Sequence, residues 1–189
     1  TPQAARAVHV VTIADTAPVP VFTGARSDVG AGISSFVDGP LSYEANQSGA
    51  FSREFPIGKT DGTISDYRHL RLNLNYASAG ASVYSAEMFL EDRSNAYTFP
   101  SIPCPDVLGI ISTVRYWNVE ATTLTGLTNA FATVDYDLVE ANDQVANATE
   151  VRLLKEVGTA WENVSCGQGG TANGKGSISS LAITGLGDF

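Results

Sequence analysis

Apolar and polar residues alternate with a period of two over several short stretches, the mark of strands with one buried face. The clearest run covers residues 67–76. Leu70, Leu72, Leu74 and Tyr76 fall on one side, and His69, Arg71, Asn73 and Asn75 on the other. This pattern predicts a half-buried antiparallel strand, with His69 on its solvated face. Residues 129–136 repeat it, Ala130, Ala132, Val134 and Tyr136 opposing Phe131, Thr133 and Asp135. In residues 51–55, Phe51, Arg53 and Phe55 oppose Ser52 and Glu54, and Pro56 and Gly58 are expected to break that strand ahead of a loop at Thr60-Asp61-Gly62-Thr63. Further strands are expected at residues 8–13, 41–43, 83–90, 110–119, 151–155, 161–164 and 177–184. Asp38-Gly39-Pro40 and residues 46–49 carry turn chemistry, and residues 24–35 are rich in Gly and Ser.

Ten or so short strands, with no heptad, long amphipathic helix or internal repeat, predict an all-β fold: an antiparallel β-sandwich, jelly-roll or immunoglobulin-like, with long Gly-rich loops. Residues 31–189 are expected to form that sandwich. Residues 1–30, interrupted by Pro18-Val19-Pro20, read as an N-terminal edge strand or linker segment. At 189 residues the chain can bury a substantial core.

Composition narrows the function. Only 16% of residues are charged and 18 are Gly, which suits an extracellular β domain better than a helical cytosolic enzyme. The formal net charge of −9, with scattered basic residues, argues against nucleic acid and against anionic membranes as partners. No apolar run approaches the roughly 20 residues that span a bilayer, so no membrane insertion is expected. The opening Thr1-Pro2 reads as a mature or excised piece.

Candidate chemistry is sparse. Two histidines, His9 and His69, no G-x-S-x-G elbow, no phosphate-binding loop and no short zinc-ligand spacing leave an enzyme without a motif. Two cysteines, Cys104 and Cys166, flank predicted strands and suggest one disulfide, the alternative being two buried thiols. Asp135, Asp137 and Asp143 lie in an acidic run whose oxygen ligands could hold Ca²⁺. A solvated acidic loop is the other reading, and no further cofactor is indicated. Tyr43, Tyr67, Tyr76, Tyr84, Tyr97, Tyr116, Trp117, Tyr136 and Trp161 are either core residues or glycan-stacking platforms. Burial is favoured for Trp117 and Trp161. Asn46-Gln-Ser, Asn147-Ala-Thr and Asn163-Val-Ser are N-glycosylation sequons.

Five segments occur in an informative order: Phe36-Val37-Asp38-Gly39-Pro40, then Phe55-Pro56-Ile57-Gly58-Lys59 with Tyr67-Arg68, then Arg115-Tyr116-Trp117-Asn118-Val119, then Arg152-Leu153-Leu154-Lys155 and Gly158-Thr159-Ala160-Trp161. Together they resemble the β-sandwich modules of surface proteins exported by the type IX system of Bacteroidota, over roughly residues 30–189. The resemblance implies a non-catalytic, extracellular or cell-surface building block. Under it, Asp15-Thr16-Ala17 resembles an O-glycosylation acceptor with Thr16 as its site. The expected function is a structural or adhesive module, one unit of a surface protein or fibre assembled through strand edges. Its partners would be neighbouring modules or copies of the chain. A carbohydrate-binding module, with glycans as partners, is the rival. Val8, Val10, Val11 and Ile13 in the N-terminal run, and the closing run at residues 178–183, are the expected assembly strands.

Overall fold

The computed structural model describes residues 36–60, 66–93, 113–137, 143, 147–166, 169–170 and 175–189, together with the backbone of residues 11–13, 61, 64 and 65. Two four-stranded sheets pack face to face. One takes the order β1 (Val11–Ile13), β3 (Leu41–Ala45), β8 (Ser82–Phe89), β9 (Tyr116–Ala121). The other takes β13 (Lys175–Ser179), β10 (Leu127–Asp137), β7 (Leu70–Tyr76), β4 (Gly49–Phe55). A small sheet of β2 (Val37–Asp38), β5 (Ile57–Asp61) and β6 (Ile64–Tyr67) and a hairpin of β11 (Leu154–Val157) and β12 (Ala160–Asn163) complete the fold. The protein is an all-β sandwich, as the alternation predicts.

The inward positions of the two large sheets supply the core. Leu70, Leu72, Leu74 and Tyr76 of β7 and Ala130, Ala132, Val134 and Tyr136 of β10 face Tyr43, Tyr84, Ala86, Met88 and Val119. Aromatic rings span the gap. Tyr43 meets Phe55 edge-on at 5.1 Å, and Tyr76 meets Tyr84 edge-on at 6.4 Å with their hydroxyls hydrogen-bonded. Such contacts satisfy the phenol groups inside an otherwise apolar layer. Trp117 and Trp161 are both buried.

Most neighbours pair antiparallel, but β1–β3 and β2–β5 pair parallel. The second pair arises because the chain leaves β2, runs through β3 in one sheet and β4 in the other, and returns along β5 in its starting direction. The break expected at Pro56 and Gly58 is a correction. Ile57 resumes an extended strand at once, its partner being Val37, and Thr60 and Asp61 belong to that strand. Gly58 is required there by close approach rather than by a turn. A Cβ on it would lie 2.6 Å from both the Asp66 carbonyl oxygen and the Phe36 ring. Strand β9 starts at Tyr116, with residues 113–115 outside it.

Residues 180–189 bind both large sheets along one side. The N–H of Ser180 donates to Ala132 O, and Ala130 and Ile183 exchange hydrogen bonds of 2.8 and 2.9 Å. The chain then crosses to β9, where Trp117 and Phe189 exchange bonds of 3.0 and 2.8 Å and Val119 N–H donates to Gly187 O. Glu156 N–H donates to Asp188 O, which stitches the β11–β12 hairpin to the same segment. The Phe189 side chain is buried.

Candidate functional site

Three of the five sequence segments meet in one cluster. Val37 pairs with Ile57, Phe36 lies 6.2 Å from the Tyr67 ring, and Thr60 N–H donates to the Asp38 carboxylate at 3.1 Å. Lys59 reaches Glu87 at 2.5 Å and Asp38 at 3.6 Å, and sits 5.2 Å above the Phe89 ring. Phe89 stacks on Tyr116 at 4.9 Å, and the Arg93 guanidinium lies 4.7 Å from the Tyr116 ring centroid.

Beneath this lies a buried network of four charges. Arg68 bonds Asp66 at 2.8 Å, and Arg115 pairs with the other oxygen of Asp66. Arg115 also meets Asp143 at 2.7 Å, and Arg68 lies 3.6 Å from the same carboxylate. Two cations and two anions compensate each other, which is the condition for burying such groups at all. Burial pushes the Arg115 guanidinium down from its ordinary value and the neighbouring Arg68 adds to this, while Asp143 and Asp66 oppose it. The network ties the junction of β6 and β7, the residue before β9 and the segment after β10 into one unit.

A second polar cluster corrects the reading of His69. It is not solvated. His69 continues the β7 ladder, its carbonyl accepting from Asp135 N–H, and keeps the phase of Arg71, but its imidazole is buried against Glu54 of β4. Arg71 holds the other Glu54 oxygen at 2.5 Å. Burial alone would raise the Glu54 carboxyl, but hydrogen bonds and charge from His69 and Arg71 outweigh it and hold the group below the usual glutamate range.

The acidic run is partly committed to cations. Asp143 faces Arg115 and Arg68, Asp137 is buried and paired with Lys175 at 2.7 Å, and Asp135 is half-buried in β10 opposite Ser177. The Asp143 carboxylate also accepts the Asp137 N–H at 2.5 Å. Asp137 and Asp143 are therefore brought together, but around basic groups. No cluster of three or more metal-binding side chains occurs among the described residues. Lys155 is buried too, donating to Glu156 O at 2.8 Å. Burial pushes its ammonium down, against the opposing charges of Glu156 and Glu162.

Of the aromatic candidates, Tyr43, Tyr76, Tyr84, Tyr116, Trp117, Tyr136 and Trp161 are buried and Tyr67 is half-buried. Phe131 is the large aromatic that the described surface exposes, on the outer face of β10 beside Asn73. Asn163, the third sequon, is buried. Its side-chain oxygen accepts from the N–H groups of Ser165 and Cys166, an Asx turn that ends β12. No free thiol occurs among the described residues. Cys104, Thr16, Val8 and Val10 lie outside the described residues, as does Tyr97. Val11 and Ile13 pair with Leu41 and Tyr43 of their own chain, and the closing run pairs with β10.

The ion network was legible only as motif letters. A signal for it exists: Asp66 and Arg68 continue the inward phase of Leu70, Leu72 and Leu74, and Arg115 shares the phase of Trp117 and Val119. Charges on an inward phase imply buried partners. Comparison with known proteins finds no matching family model, no matching curated protein and no matching solved structure.

Proposed function

We propose that this chain is a non-catalytic structural or adhesive module of an extracellular surface protein, comparable to the type IX-exported sandwich modules its motifs resemble, and that it acts through its strand edges. The observation that carries this reading is how the motif residues are used. Asp66, Arg68, Arg115 and Asp143 hold one another in place, as do Glu54, His69 and Arg71, so the polar residues that converge hold the scaffold together. Contact with other molecules then falls to surfaces and edges. Light scattering after size-exclusion chromatography, with electron microscopy of the same samples, tests it. An associated fraction that rises with concentration is expected, and a strict monomer throughout would contradict assembly.

A Cys104–Cys166 cystine belongs to this extracellular reading and is supported by the lack of a free thiol at Cys166. Thiol titration of the denatured, unreduced chain should find no sulfhydryl. Calcium at Asp135, Asp137 and Asp143 would have to compete with Lys175 and Arg115. A melting temperature raised by Ca²⁺ in the native chain but not in Asp143→Asn would support such a site.

One observation favours a carbohydrate-binding role as a second reading. Phe131 is exposed on a sheet face that also carries Ser52, Asn73 and Thr133. An apolar ring among neutral hydrogen-bonding groups suits the faces of sugars. Retardation in polysaccharide-containing gels, lost in Phe131→Ala, would support it.

A further inference from the structure

We propose that β4 is the assembly edge, and that two copies of the chain pair their β4 strands antiparallel about a two-fold axis at Ser52. The proposal rests on the edge-assembly reading above and moves the contact from the chain ends to one strand.

The hydrogen-bond phase of the sheet identifies the open groups. Asp135 N–H donates to His69 O and Ala77 N–H to Gly126 O, so the odd-numbered residues of β7 turn their backbone toward β10. In an antiparallel sheet the alternate residues must turn the other way. Leu70, Leu72, Leu74 and Tyr76 therefore bond β4 through Phe55, Arg53, Phe51 and Gly49. The backbone groups of Ala50, Ser52 and Glu54 point outward. No strand lies beyond β4 among the described residues, and the N–H groups of these three meet no partner among them. Ser52 O accepts from its own chain's Arg53 guanidinium at 3.1 Å.

Natural edges are protected by Pro, Lys or freely projecting charges. Residues 49–55 contain neither Pro nor Lys. Their acidic residue, Glu54, is drawn inboard by His69 and Arg71 and so does not guard the edge. Their basic residue, Arg53, lies 4.9 Å from the Phe51 ring centroid.

Self-pairing in the Ser52-centred register uses these features together. Ser52 meets Ser52 of the second copy as a hydrogen-bonded pair, and Ala50 meets Glu54 on either side, so every outward group is bonded. Phe51 faces Arg53 of the other copy twice, in the closer non-hydrogen-bonded positions. Arg53 leaves the Ser52 carbonyl and exchanges its own Phe51 for that of the second copy. A register centred on Arg53 would instead oppose two guanidiniums. One centred on Phe51 would leave the Glu54 backbone groups unbonded.

Because Ser52 lies on the axis, a charge swap tests the register. Ser52→Lys and Ser52→Glu each place like charges directly opposite each other, which is destabilising across strands. Each variant alone should lose self-association in sedimentation analysis, and an equimolar mixture should regain it. That result establishes the pairing. A native chain that stays monomeric at every concentration overturns both this proposal and the edge-assembly reading. A native chain that associates while both variants still do so overturns the β4 pairing and leaves edge assembly standing. Loss in both variants without recovery on mixing overturns the Ser52-centred pairing. If either variant fails to show the native circular-dichroism spectrum, Ser52→Pro, which removes the outward N–H on the axis and no bond to β7, should show the same loss. Undiminished association of that variant overturns the pairing.

Discussion

The two lateral sides of the sandwich are built from similar short strands but finished differently. On one side residues 180–189 bind β10 and β9 in turn and bury Phe189, so bonded backbone bridges the two sheets there. On the other side the sheets end, among the described residues, at β1 and at β4, where Ala50 and Ser52 are exposed. A sealed edge adds stability and excludes partners. An edge with bonding groups turned outward gives up some of that stability and can recover it from a second chain. The buried charges act on the sealed side of this contrast, because Arg115 leads directly into β9.

Substitutions should separate the two sides. Arg115→Ala leaves the two carboxylates of Asp66 and Asp143 with Arg68 as their one cation in the network and should cost about 3–5 kcal/mol in chemical denaturation. Phe189→Ala on the sealed side should cost about 3 kcal/mol by the same measurement. Phe51→Ala on the open side, where the ring is half-buried and stacked on Tyr76 at 6.0 Å, should cost about 1–2 kcal/mol. Equal costs for the two phenylalanines would remove the contrast.

Acid sharpens the same comparison. The Glu54 carboxyl is held below its unfolded value, so its contribution is present above the unfolded pKa and is lost as pH falls through the folded one. Thermal melts should show the native chain losing stability over that acid range more steeply than Glu54→Gln. The smallest effect on folding is expected at Ser52→Lys. Its side chain is exposed, so stability should change by only about 0.5 kcal/mol even as association is lost.

The sandwich was legible where a two-residue period ran unbroken. The inward sets of β7 and β10 are those read from the sequence, because one face of each strand must be apolar. The reading failed where tertiary contacts override local signals. Pro56 and Gly58 look like a break, yet Gly58 is there to let Phe36 and the Asp66 carbonyl approach. His69 keeps the phase of Arg71 that the alternation assigns, but the cross-strand carboxylate of Glu54 buries it, and its own strand's pattern does not contain that partner. The ion network joins Asp66 to Arg115 and Asp143 across the fold, and no local pattern fixes such a separation. The open groups of β4 depend on which neighbour each β7 residue bonds, which a single strand's sequence does not contain.

Residue-resolved amide exchange on the native chain over a dilution series tests the edge account most directly. The N–H groups of Ala50, Ser52 and Glu54 should exchange more slowly as concentration rises, while those of Ala130 and Trp117 on the sealed side keep one rate. Exchange at Ala50, Ser52 and Glu54 that stays fast at every concentration would contradict the account.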